Sequence, residues 1–165
     1  MNANSSESYY FLRMYSIDLD TALHTVKMLR RYKRPDIQSV LLRDVAVCYI
    51  RPFSGNKGEH TSSHILRSSM HVPKSMRQLH RELYDLRMNQ FAHTDLTYYR
   101  PRVGKIRFTP ASAFAMTFRG YDYAGLLRKL PQIEELIRAV ERSVHAHIAE
   151  LEKAPAFENL TEKSE

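Results

Sequence analysis

Residues 131–151 read PQIEELIRAVERSVHAHIAEL. Pro131 suits the first turn of a helix. Ile133, Leu136, Ile137, Val140, Val144, Ile148 and Leu151 then recur at three- and four-residue spacing. Such a stripe predicts a long amphipathic helix that buries one face against other helices. Earlier segments repeat the pattern. Leu12, Leu19, Leu23, Val26 and Leu29 predict helix over 9–34, broken near Ser16 to Asp20, where Asp18 or Asp20 can cap a new helix. Pro35 suits the start of a second helix carrying Ile37, Val40, Leu41, Val45 and Cys48 through Tyr49, which Pro52 ends. Met76, Leu79, Leu83 and Leu86 mark a third long helix that frays near Gln90 to His93. Tyr121 to Leu130 reads as a short helix.

Two stretches break this pattern. Residues 53–73 are polar and form the longest loop candidate, with a short helical turn expected around Ile65 and Leu66. Loops of that length tend to be functional or mobile. Thr97 to Arg100 and Lys105 to Phe108 flank Arg102-Val103-Gly104 and predict a small hairpin, with Phe114 to Phe118 as a further extended piece. The expected architecture is mainly α: a bundle of four to five helices with a small β-hairpin insertion. One domain over 9–153 is expected, with disordered ends at 1–8 and 154–165.

The 165 residues suffice for one domain with its own core. Hydrophobic content of 43% and charged content of 26% are ordinary for a globular chain. No apolar run approaches the roughly 20 residues that span a bilayer. Met1 to Ser8 lacks the charged start and apolar stretch of a signal peptide. A lone Cys48 forbids an internal disulfide and, in its apolar run, reads as a buried thiol in a reducing compartment. A cytoplasmic protein is the simplest expectation. A net charge of +7 favours polyanionic partners such as RNA, DNA or acidic proteins. The basic run Lys27, Arg30, Arg31, Lys33, Arg34 suits either nucleic acid or a helix C-terminus, whose dipole it complements. Arg100, Arg102, Lys105 and Arg107 form a second basic cluster.

The most definite chemical suggestion lies in residues 79–95, LHRELYDLRMNQFAHTD. His80, Tyr84 and Arg87 share one helical face, beside the apolar face of Met76, Leu79, Leu83 and Leu86. Arg87 and His93 lie six positions apart, about 120° around an ideal helix axis. They meet only if the helix ends or turns near Ala92. An arginine can hold a phosphate, and a histidine can move a proton near neutral pH. Arg87 can instead cap the helix or pair with Asp85 or Asp95, and His93 can bond a helix carbonyl. Asp95 can orient His93 or cap the next turn. Arg51 can supply positive charge to the same cleft or stand as a surface arginine. Tyr98, Tyr99, Arg100 and Arg102 suit base stacking and phosphate contact on single-stranded RNA, and suit a half-buried hairpin equally. His60, His64 and His71 fall in the long loop without a cysteine partner, so no metal is expected. No glycine-rich phosphate loop and no Gly-x-Ser-x-Gly occurs, and no cofactor is expected.

The run Arg-Met-Asn-Gln-Phe-Ala-His-Thr-Asp, residues 87–95, resembles the Arg-x4–6-His motif of HEPN domains, most of all their abortive-infection and toxin–antitoxin branches. The resemblance implies a HEPN-like helical bundle that dimerises and brings two motifs into one cleft. It implies metal-independent RNA cleavage in a phage-defence or toxin–antitoxin setting, with an antitoxin protein as a further partner. Arg87 and His93 would be catalytic, with Asp95 orienting His93. Asn89, Arg51, His80, Tyr84, Tyr98 and Arg100 would contact substrate. Members of this group usually carry a polar residue after the arginine, and here Met88 stands there. That departure points to the alternative, a non-catalytic HEPN-like binding or scaffold module. A DNA-binding regulator has only the charge in its favour, since no helix-turn-helix pattern is present.

Overall fold

The computed structural model describes residues 3–59, 63–91, 96–107 and 112–153. Its helices are α1 (Ala3–Arg31), α2 (Pro35–Ile50), the one-turn α3 (Ser68–His71), α4 (Arg77–Leu86), the one-turn α5 (Leu96–Tyr99), α6 (Tyr123–Arg128) and α7 (Leu130–Glu152). Tight 3-10 turns follow α2 at Arg51–Phe53 and precede α4 at Lys74–Met76. The strands β1 (Arg102–Arg107) and β2 (Ser112–Thr117) pair antiparallel. The protein is therefore a mainly helical bundle with one small hairpin.

α1 lies between α2 and α7, while α4 packs on α2. Apolar periodicity explains the arrangement. α7 buries Leu130, Ile133, Leu136, Ile137, Val140, Val144 and Ile148, all on the one face its sequence marks. α1 answers with Leu12, Tyr15, Leu19, Ala22, Leu23, Val26 and Leu29, and α2 with Leu42, Val45, Ala46, Cys48, Tyr49 and Ile50. Leu83 and Leu86 bring α4 onto this core. Burial, helped by the nearby Asp44, raises the Cys48 thiol to about 11, so it stays protonated and inert. No helix among the described residues is long and apolar enough to cross a membrane.

Three expectations need correction. α1 is unbroken through Ser16 to Asp20 and begins at Ala3, ahead of Tyr9, with Glu7 buried. Ser16 Oγ donates back to the Arg13 carbonyl (2.7 Å), and the Asp18 carboxylate pairs with Arg51. Asp18 is thus not left to cap a new helix, and Asp20 lies inside the unbroken one. The helical turn expected at Ile65 and Leu66 sits instead at α3. The Leu66 N–H donates to the Pro52 carbonyl (2.8 Å), which takes it out of any helical bond. Finally, Arg102-Val103-Gly104 is strand and not turn, and the Thr97–Tyr99 segment is helical. The expected extended piece at Phe114 is the true partner, with Lys105 opposite Phe114. The connection at 108–111 lies outside the described residues, as does the tail from Ala154.

The long loop is ordered by polar bonds more than by apolar ones. Asn56 and His64 exchange backbone hydrogen bonds of 3.1 and 2.7 Å. Asn56 Nδ2 donates to the carbonyls of Ser54 (2.7 Å) and Arg51 (3.1 Å). Leu66 and Val72 then anchor its far end in the core.

Candidate functional site

Arg77, His80, Arg81, Tyr84 and Arg87 repeat at three- and four-residue spacing, so they form one stripe along α4. The stripe is about 15 Å long at 1.5 Å per residue. Beside it lie two adjoining hollows of about 320 and 270 Å³ that share Ser68, His80 and Tyr84. Arg67 and Ser69 line the first, and Arg77 and Arg81 the second. No aspartate or glutamate lines either one. Arg77 Nη2 donates to the Ser69 carbonyl (3.1 Å), tying the loop to α4. Among the described residues, Arg67, Arg77, Arg81 and Arg87 have no carboxylate partner, whereas Arg30, Arg34, Arg51, Arg128 and Arg138 all do. Uncompensated guanidinium groups around a hollow suit an anion with several oxygens.

His80 forms the floor and is 9% exposed. Its Nδ1 lies 2.9 Å from the Tyr49 hydroxyl, and its ring meets Phe53 edge-on at 4.5 Å. Burial pushes the Tyr49 phenol far above its ordinary range, so it keeps its proton. A buried phenol that keeps its proton needs an acceptor; in the tautomer with a bare Nδ1 it donates there, and Nε2 is the N–H nitrogen of a neutral ring. Burial likewise lowers the His80 pKa and favours that neutral form. His80 thus offers one hydrogen-bond donor and no charge. It is a core histidine touching the cleft, not the exposed member of a polar stripe that its spacing predicts.

Beyond Leu86 the helix changes register. Arg87–Phe91 is a π-helical turn, with one residue more per hydrogen-bonded ring than α. Arg87 keeps α geometry at the junction (φ −60°, ψ −45°), and its side chain is half-buried. Its Nη1 lies 2.8 Å from Met88 Sδ. Asn89 is half-buried on the same turn. Gln90 Oε1 is buried with no hydrogen-bond partner among the described residues. The Phe91 ring sits under Arg43 of α2, 5.3 Å from its guanidinium carbon. The Tyr99 hydroxyl reaches back to the Gln90 carbonyl at 3.5 Å. The end of α4 is therefore held from two sides while its own ladder is irregular.

Of the residues that the sequence singled out, the structure brings His80 and Tyr84 together and keeps Arg87 on their face. Arg51 does not join them, because its guanidinium is taken by Asp18 of α1. Tyr98 falls in α5, its side chain outside the description. Arg100 ends α5 with a left-handed backbone (φ 45°), its N–H donating to the Leu96 carbonyl (2.9 Å). His93 and Asp95 lie outside the described residues. Arg67, Arg77, Arg81 and Tyr49 escaped the sequence reading. The i, i+3, i+4 spacing of Arg77 and Arg81 about His80 was a signal for two of them, while nothing local marks Arg67 or Tyr49.

The loop histidines serve elsewhere. His64 stacks on Phe11 (4.5 Å, 10°), with its Nδ1 2.9 Å from the Tyr15 hydroxyl. The His71 Nδ1 lies 3.0 Å from Ser143 Oγ, and its ring faces that of His147 at 5.8 Å. No group of three histidine, cysteine, aspartate or glutamate side chains among the described residues can hold a metal, and His60 lies outside them.

No protein-family model matches the chain, and no curated protein or solved structure matches it either.

Proposed function

We propose that the chain is a HEPN-like, metal-independent endoribonuclease of the defence or toxin–antitoxin kind, acting as a homodimer. The observation that carries this reading is Arg87, half-buried without a carboxylate partner among the described residues. It stands at the start of a π turn and at the end of a cationic stripe. π turns within helices are frequent at functional sites. In the proposed reaction the ribose 2′-hydroxyl attacks the adjacent phosphorus and the 5′-oxygen departs. A 2′,3′-cyclic phosphate and a 5′-hydroxyl result. His93 takes or returns the proton. Arg87 balances the charge that builds on the phosphoryl oxygens. Arg77, Arg81 and the His80 Nε2–H bind flanking phosphate.

The test uses end-labelled RNA in the presence of EDTA. The native chain is expected to yield fragments ending in cyclic phosphate, and Arg87→Ala or His93→Ala to lose at least a hundredfold of the rate. RNA that stays intact while bound would sink this reading. It would favour the second one, a non-catalytic HEPN-like module. The contact between Arg87 Nη1 and Met88 Sδ speaks for that second reading, because it occupies part of the guanidinium.

A further inference from the structure

The β1–β2 hairpin has no core of its own. Every residue of β1 is exposed, and in β2 only Ala115 is half-buried. Two-stranded hairpins left in water are at best marginal. The apolar side chains here are large and open. Phe114 is 73% exposed, Val103 69% and Met116 62%. Strand alternation places Val103, Lys105 and Arg107 on the same face as Met116, Phe114 and Ser112. The opposite face carries Arg102, Gly104 and Ile106 against Thr117, Ala115 and Ala113, with no aromatic ring. A Cβ on Gly104 would meet nothing within 4 Å, so that face is open at its middle.

The charge is one-sided. Arg102, Lys105 and Arg107 lie on β1, and no aspartate or glutamate occurs from Leu96 to Tyr121. Lys105 Nζ sits 5.9 Å from the Phe114 ring centroid, so cation and aromatic face form one unit. A second copy of the chain would set like charges against like on this face. An acidic polymer with flat aromatic bases satisfies both features at once. Its phosphates meet Lys105 and Arg107, and a base stacks on Phe114. A paired base has no free face to offer, which selects the single strand.

We infer that the hairpin is a grip for single-stranded RNA, in which Phe114 stacks a base while Lys105 and Arg107 hold the backbone. This names the substrate form for the ribonuclease reading above and rests on that reading for the choice of RNA.

The test measures binding of a fluorescent, unstructured 2′-O-methyl oligoribonucleotide to the full chain. Such a probe lacks the attacking hydroxyl and cannot be cut. Phe114→Ala is expected to weaken binding about tenfold. Lys105→Ala with Arg107→Ala should reduce the slope of log affinity against log salt by about 1.4. The same probe paired into a duplex should bind more weakly. Helical circular dichroism should be unchanged in all these variants, because the hairpin lies outside the core. Native affinity in both hairpin variants would overturn the grip. So would a Phe114→Ala chain that changes oligomeric state yet binds RNA normally, since the face would then meet a second copy. Probe binding through the hairpin with no RNA cut by the native chain would sink the nuclease and not the grip.

Discussion

The Tyr49–His80 pair shows how one buried hydroxyl sets the chemistry of an open cleft. Tyr49→Phe removes the donor to Nδ1 and leaves a buried acceptor unpaired, at a cost of about 1–3 kcal/mol. Urea denaturation should read this as a lower midpoint with an unchanged slope. Without that donor the His80 proton is free to move to Nδ1, and the cleft loses its Nε2–H. Arg81→Ala addresses the cleft from its rim, in a position without an ion-pair partner to leave stranded among the described residues. Under the proposed cleavage it should raise KM for RNA several-fold while kcat holds, as expected for a group that binds ground and transition states alike. Equal loss in kcat would move Arg81 from the binding of flanking phosphate to the reacting one. At this scale the sequence was half legible. The periodicity of His80, Tyr84 and Arg87 could be counted along the helix. The partner that tunes His80 sits 31 positions away, and no local pattern reports such a distance.

Among the elements, the π turn matters most for the site. A π turn holds one residue more per hydrogen-bonded ring than the α-helix it interrupts, and the ring widens to take up the extra residue. Deleting Met88 should restore an α register through Phe91. The chain should keep its helical circular dichroism and lose cleavage, because the wide turn that carries Arg87 and Asn89 would close. Retained cleavage would show that the turn has no part in the site. The sequence shows that a regular helix cannot join Arg87 to His93, but it does not say how the helix yields. Fraying near Gln90 to His93 was the expectation, and Asn89 just before it competes for backbone bonds. Phe91 under Arg43, with Tyr99 reaching back to Gln90, holds the segment as a turn instead. The hairpin was misread for a related reason. Gly104 looked like a turn residue, yet it lies mid-strand, where the open face makes no demand for a side chain.

For the whole molecule, the apolar stripes of α1, α2 and α7 made the bundle legible, because burial follows period. What they could not show was the acid sensitivity of its polar seams. Burial holds His64, His71 and His80 below the ordinary histidine range, and His147 lowers His71 further. Unfolded, all three take up protons near 6.5. The unfolded chain therefore binds more protons as pH falls through that value, and the stability present at neutral pH is lost below it. Melting temperature should decline from about pH 6.5 downward, and His80→Gln should flatten that decline. A profile level down to pH 5 would contradict it. One further contact reaches across the sequence. The Tyr9 hydroxyl donates to Glu152 Oε1 (2.9 Å), where α1 meets α7. During synthesis α1 thus waits for α7, more than a hundred residues later, to cover its apolar side. Until α7 emerges, the bundle remains open along its central rod. A nascent chain of this protein closes its bundle only once α7 has been made.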